Sequence, residues 1–202
     1  VRFPRATYLM IFCKSKKAAS RTLDHILPYI KEKLFLRVNR EKTQVAYVNK
    51  VKYLGYSFYI RKGEGKLRIH PQSIRKFKDK IREITGRSNG MGIEARKIRL
   101  NQVVRGWMNY FKLADAKKLI QGLDEWIRSR IRMVTWKRWK RVRTRFESLK
   151  RSGIKEEQAW MWANTRKGYW RTAHSPILLR ALSNERFRRA GYLSLTECYS
   201  AK

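Results

Sequence analysis

IRLNQVVRGWMNYF (residues 98–111) is the stretch on which the reading of this chain turns. Leu100, Val103, Val104, Trp107, Tyr110 and Phe111 recur at three- and four-residue spacing, and Ala114 extends the series. Asn101, Gln102, Arg105, Asn109 and Lys112 fill the places between. Wound into a helix, the two sets separate into an apolar arc and a polar arc, so the spacing predicts a helix over 93–114 lying on a core. Downstream, Leu119, Leu123, Trp126, Ile127, Ile131 and Val134 continue the pattern in a second helix. After Val134 the one-sidedness fails. TWKRWKRVRTR (135–145) is basic around the whole circumference, and a helix that buries no face is either solvent-bridging or covered by a partner. Ser152-Gly153 breaks the chain; a short helix with Trp160 and Trp162 follows, then the loop TRKGYWR (165–171) and two brief helices near 176–182 and 184–190.

Upstream of the opening stretch, GRSNGMG (86–92) reads as a linker. Pro71 suits the first turn of a helix whose apolar stripe is Ile74, Phe77, Ile81 and Ile84. Leu54, Tyr56, Phe58 and Ile60 alternate, as on one side of a strand. Gly63-Glu64-Gly65 turns that strand back into LRI (67–69). Asn49-Lys50 makes an earlier turn, and VNREKTQV (38–45) reads as a loop leading to a strand. Ser15 is placed to cap a helix over 16–34 with Leu23, Ile26, Ile30 and Leu34 on one face. Residues 7–13 read as a short buried strand.

The 202 residues suffice for one or two domains with a real core, and 43% hydrophobic with 12% aromatic residues excludes a disordered basic tail. Fifty Lys and Arg against fifteen Asp and Glu give a formal charge of +35. Self-repulsion of that size disfavours an isolated compact state and points to a polyanionic partner, nucleic acid first. A membrane surface fits less well, because the cations span the chain rather than one amphipathic helix, and no apolar run approaches the length of a membrane span. Cys13 and Cys198 are far apart and His25, His70 and His174 are scattered, which gives neither a zinc spacing nor a disulfide framework.

Chemistry-bearing constellations are sparse. No carboxylate precedes Asp24, whereas two-metal phosphoryl transfer needs acids that hold both ions about 4 Å apart. Asp79, Glu83 and the Asp124-Glu125 pair are spaced for local ion pairs on basic helices. GRSNGMG lacks the ending of a phosphate-binding loop. In 135–145, by contrast, six of eleven residues are basic: Lys137, Arg138, Lys140, Arg141, Arg143 and Arg145. Trp136 and Trp139 between them either stack bases or anchor the helix in a core. TRKGYWR surrounds a glycine with Arg166, Lys167, Arg171, Tyr169 and Trp170. It is either a phosphate-and-base contact or an ordinary loop fastened by Trp170.

Taken in order, these stretches resemble the C-terminal half of group II intron maturases, the reverse transcriptases encoded within bacterial self-splicing introns. VNREKTQV followed by KYLGYSF is similar to the end of that family's palm. IRLNQVVRGWMNYF and LDEWIRSRIRMVTWKRWKR (123–141) are similar to its thumb, or X domain. ANTRKGYWR (163–171), SPIL (175–178) and NERFRRAGY (184–192) are similar to its tail. The resemblance implies an α+β chain: a partial reverse-transcriptase palm of antiparallel strands plus a helix (1–70), a helical thumb or maturase bundle (71–146) and a small basic helical tail (147–202). It implies intron RNA as partner, with target DNA and an upstream reverse-transcriptase fragment as further partners, no membrane, and a bacterial cytoplasmic location.

The intact family enzyme uses Mg²⁺ at a Tyr-Ala-Asp-Asp motif. Aligned without gaps from IFCKS, those places are held by Arg5, Ala6, Thr7 and Tyr8, so Thr7 and Tyr8 stand where the aspartates belong. The expectation is therefore a chain with no catalytic residue and no cofactor of its own, inactive alone as an RNA-directed DNA polymerase. Lys42 matches the family's nucleotide-facing lysine and Gly55 its palm turn near the primer end. Expected nucleic-acid contacts are Lys42; Arg96, Arg99, Arg105 and Lys112 on the polar arc; Arg128, Arg132, Lys137, Arg138, Lys140, Arg141 and Arg143 beyond it; and Arg166, Lys167, Tyr169 and Arg171. Two alternatives stay open: one half of a split polymerase completed by another chain, and a general basic RNA- or DNA-binding protein.

Overall fold

Two-residue reversals organise the small sheet. In the computed structural model, which describes residues 9–201, β1 (Lys52–Tyr53), β2 (Tyr56–Arg61) and β3 (Glu64–Ile69) pair in that order. Leu54 and Gly55 join the first two strands and Lys62 and Gly63 the next two, with φ of 48°, 80°, 52° and 78°. Paired left-handed residues are what a tight antiparallel hairpin with native twist demands. The expected alternation of β2 is not kept: Ser57 is buried while Ile60 is 67% exposed.

The chain divides into two compact units, Val1–Tyr53 with Ser57–Gly65, and Leu54–Tyr56 with Lys66–Lys202. In the first, Ser15 caps α1 (Lys16–Glu32) by accepting from the Ala18 N–H at 3.1 Å. Leu23, Ile26 and Ile30 are only half-buried, and Leu34, beyond the helix, is exposed. Residues 9–13 form no strand and expose Leu9, Ile11 and Phe12. This corrects the buried strand expected at 7–13, of which positions 7 and 8 lie outside the described residues. An apolar run becomes a strand only where a neighbour takes its backbone groups, and none does so here among the described residues. Positions 43–47 likewise form no strand, and Asn39 closes a turn instead, its Oδ1 accepting from the Lys42 N–H at 3.1 Å. A short 3-10 turn spans Val48–Lys50.

The second unit is helical. α2 (Pro71–Ile84) starts on Pro71, capped by His70 Nδ1 accepting from the Gln72 N–H at 3.1 Å, and buries Phe77, Ile81 and Ile84. α3 (Ile93–Phe111) buries Leu100, Val104, Met108 and Phe111; Tyr110, expected on the apolar arc, is exposed and donates to Leu54 O at 2.9 Å. α4 (Lys117–Arg138) is the longest helix, buried at Ile120, Leu123, Ile127, Ile131 and Trp136. α5 (Val142–Arg151) packs on α6 (Glu156–Ala163). α7 (Tyr169–Ala173), α8 (Pro176–Ala181), α9 (Asn184–Arg189) and α10 (Leu195–Ser200) complete the chain, with α7 and α10 both packed on α4. The main apolar core takes in residues from Ile69 to Leu195.

Two expectations are corrected here. The segment 135–145 is not one helix basic all round: α4 ends at Arg138, the chain bends through Trp139–Arg141, and Trp136 is 1% exposed. Likewise 165–171 is not all loop, because Tyr169 begins α7.

The junction of α4 with α10 is polar and buried. Asp124, 3% exposed, accepts from Ser194 Oγ at 2.7 Å, the Leu195 N–H at 3.0 Å and Thr196 Oγ1 at 3.1 Å, and pairs with Arg128 one turn along. It thereby caps the start of a helix more than sixty residues away. Asp124→Ala should lower the unfolding free energy by about 3–4 kcal/mol in urea denaturation, since it strips a buried set of donors of their acceptor. Gly55 is the other fixed point. A Cβ there would lie 2.9 Å from Ser73 Oγ and 3.1 Å from the Phe111 ring, while Gly55 O accepts from the His70 N–H at 2.9 Å and from Ser73 Oγ at 3.0 Å. Gly55→Ala, strained in φ and crowded, is expected to cost about 2–3 kcal/mol by the same measurement.

Candidate nucleic-acid interface

Most cations of a +35 chain have no carboxylate to pair with, so their positions follow from what else can hold them. Three arginines surround Trp126, Tyr169 and Trp170. Arg130, on α4, donates from Nε to Thr85 Oγ1 at 2.9 Å and from Nη2 to Thr85 O at 3.3 Å and Arg82 O at 3.4 Å, at the C-terminus of α2. Its guanidinium then lies 6.0 Å from the ring centres of both Trp126 and Trp170. Lys78 and Arg82 each approach Trp126 at 5.7 Å, and Arg87 approaches Tyr169 at 5.6 Å. These are cation–π distances. Burial lowers the Arg130 pKa from its ordinary value, and the charges of Arg82 and Arg87 lower it further. Asp79, paired with Arg82 at 2.6 Å, is exposed and offsets little of this repulsion. Such a cluster of like charges and aromatic faces is suited to phosphates and stacked bases.

The expected contacts divide into two groups. Arg96 is 8% exposed and donates to Ile84 O at 3.0 Å and Asn89 Oδ1 at 2.7 Å. Arg132 is 5% exposed, donates to Leu182 O at 3.0 Å and Asn184 Oδ1 at 3.4 Å, and lies over Phe187. Burial pushes its pKa down to about 10, which still leaves it charged at neutral pH. Arg128 belongs to the Asp124 site, and Lys137 donates to Arg87 O. Arg96 and Arg132 are thus spent inside the fold, whereas Arg128 and Lys137 stay partly exposed. A residue inside an amphipathic helix can be apolar along its stem and still satisfy its head at a neighbouring helix end.

Arg99, Arg105, Lys112, Arg138, Lys140, Arg141, Arg143, Arg166 and Arg171 are exposed. So is Lys167, lying 5.3 Å from the Trp162 ring centre. Arg143 pairs with Glu147 at 3.0 Å and Arg99 with Glu83 at 3.4 Å. Lys42 is exposed in the first unit. Tyr169 is half-buried in the core, and Trp170, the fastening residue in one of the two readings of 165–171, is exposed and set edge-on to His174. Trp136 and Trp139 pack edge to face, with Arg145 4.8 Å from the Trp136 ring centre, so the packing reading holds for the buried Trp136. Sequence reasoning does not single out Lys78, Arg82, Arg87, Arg130 or Trp126 as contacts. Their signal is the Trp126/Arg130 spacing of one helical turn, which identifies a cluster only once α2 is known to lie beside it.

Among the described residues no group of three His, Cys, Asp or Glu is arranged to hold a metal ion. Thr7 and Tyr8, which stand where the resemblance places the metal-binding aspartates, lie outside the described residues.

If Arg96 and Arg132 are internal supports, Arg96→Ala and Arg132→Ala should each lower stability by about 2 kcal/mol. The salt dependence of heparin binding, measured on the folded variants, should stay unchanged.

No curated protein matches the chain. Residues 74–153, from α2 through α5 and including Trp126 and its surrounding cations, match the family model of the group II intron, maturase-specific domain, and this segment indicates a maturase function in group II intron splicing.

Proposed function

We propose that the exposed cations of this chain hold folded intron RNA and thereby assist its folding and splicing. In this reading the chain is the C-terminal part of a reverse transcriptase, comprising the end of the palm, the thumb and a basic tail, acts in the bacterial cytoplasm, and carries no catalytic aspartates and no metal of its own. Lys42, Arg99, Arg105, Lys112, Lys140, Arg141, Arg143, Arg166, Lys167 and Arg171 contact phosphates, and the Trp126–Arg130 cluster adds stacking. The same surface accepts target DNA. The observation that carries the reading is that the segment matching the maturase domain contains Trp126 and its ring of cations. Shape, phosphates and 2′-hydroxyls are what such a surface reads in folded RNA.

The test is a salt titration of binding to a group II intron RNA. Replacing Lys140, Arg141, Arg166 and Lys167 together by Ala should weaken binding and flatten the slope of log K against log salt by about 3, close to one for each phosphate no longer neutralised. An unchanged slope removes these residues from the interface. An unrelated structured RNA that competes equally at matched salt favours the general nucleic-acid-binding reading instead.

One observation favours a second reading, half of a split RNA-directed DNA polymerase: among the described residues, no hydrophobic side chain of the first unit is fully buried. Primer extension that appears only when an upstream reverse-transcriptase fragment is added selects this reading.

A further inference from the structure

An open groove of about 490 Å³ lies beside α5, away from the Trp126 cluster in sequence. Three arginines line it, Arg138 at the end of α4, Arg151 at the end of α5 and Arg186 on α9. No carboxylate does, and Glu147, beside the groove-lining Ser148 in sequence, is engaged by Arg143 at 3.0 Å. Arg186 is held in place: Nη1 donates to Ala181 O at 2.6 Å and Nη2 to Arg151 O at 3.3 Å. A guanidinium carries five N–H groups, so three remain for a ligand.

The α5 wall adds hydroxyls. Thr144, Ser148 and Ser152 follow one another at four-residue spacing and all face the groove. Ser152 Oγ donates to Ser148 O at 2.7 Å, whereas the Thr144 and Ser148 hydroxyls have no bond to any described residue. The remaining wall is apolar, formed by the half-buried Trp139 and by Leu182. One fixed guanidinium, two exposed arginines and two hydroxyls without a partner therefore sit beside an indole along an open groove.

We propose that this groove is a subsite for one unpaired RNA nucleotide, its phosphate held by the three arginines and its base against Trp139. A duplex presents phosphates on a convex surface with its bases hidden, and cannot use the aromatic wall; an unstacked nucleotide uses both. The proposal rests on the RNA-binding reading above. It adds that the chain distinguishes unpaired from paired RNA, and that α8 and α9 beyond the matched segment supply part of the site.

Thr144→Glu is the sharpest variant. The position is exposed and lies in the first turn of α5, which holds no acid, so a carboxylate there favours the helix while repelling a phosphate. Arg138→Ala removes one guanidinium at an exposed position. Binding of the full chain to two labelled hairpins, one fully paired and one with a single-nucleotide bulge, is followed by fluorescence anisotropy at one salt concentration. The wild type should favour the bulged hairpin. Each variant should weaken that complex by about tenfold and leave the paired complex within about twofold. Equal weakening of both hairpins, no weakening of either, or a wild type indifferent to the bulge overturns the groove assignment while the RNA-binding reading stands. A wild type that binds neither hairpin overturns both.

Discussion

Fifteen acids cannot neutralise fifty cations, and the fold meets that constraint with backbone carbonyls. The last turn of every α-helix leaves carbonyl groups without partners and carries a partial negative charge. Arginines are directed at those ends throughout the second unit. Arg96 donates to Ile84 O at the end of α2, and Arg132 to Leu182 O just past α8. Arg145 reaches both Trp139 O after α4, at 2.8 Å, and Ala163 O at the end of α6, at 3.3 Å. Arg186 reaches Ala181 O at the end of α8 and Arg151 O at the end of α5. Helix termini act here as the counter-charges that the sequence does not supply as side chains.

The same arrangement sorts the arginines by task. Those within reach of a helix end become part of the frame, and the rest are left in water, where net charge makes a polyanion the natural partner. Arg130 shows why the boundary is not one of burial alone. Its Nε and Nη2 cap α2 while its flat face stays between Trp126 and Trp170. Lysine could not do this, because only a planar fork can make directional bonds at its edge and stack through its face at once.

The helices from α2 to α4 were legible because their burial is periodic: Leu100, Val104 and Phe111 repeat a spacing that only a helix brings to one side. Ser15 and Pro71 announced helix starts through their own backbone chemistry. What was not legible depended on partners distant in sequence. Asp124 reads as one more surface acid on a basic helix until α10 arrives to be capped by it. Trp136 and Lys137 read as part of a uniformly basic stretch, yet both lie on the last turn of α4, whose inner face buries the first while the second donates to Arg87 O. Residues 9–13 have strand composition without a pairing neighbour among the described residues, and composition alone cannot supply one. For the candidate interface, charge density points to a polyanionic class of partner, but it does not separate Arg132, which is inside, from Arg138, which is outside.

Arginine's second role follows from its shape. A guanidinium that joins the ends of two helices, as Arg145 and Arg186 do, is a crosslink between them, and it is rigid because both acceptors are fixed carbonyls. Fixing it restrains the N–H groups left over, which lowers the entropy still to be lost when an anion arrives. A surface built this way is preorganised by the bonds that stabilise the fold, with no separate scaffold for the binding groups. It also links stability to occupancy. A bound polyanion relieves the repulsion among cations that the helix ends only partly offset, so the folded state gains whatever the ligand's preference for it over the unfolded chain supplies.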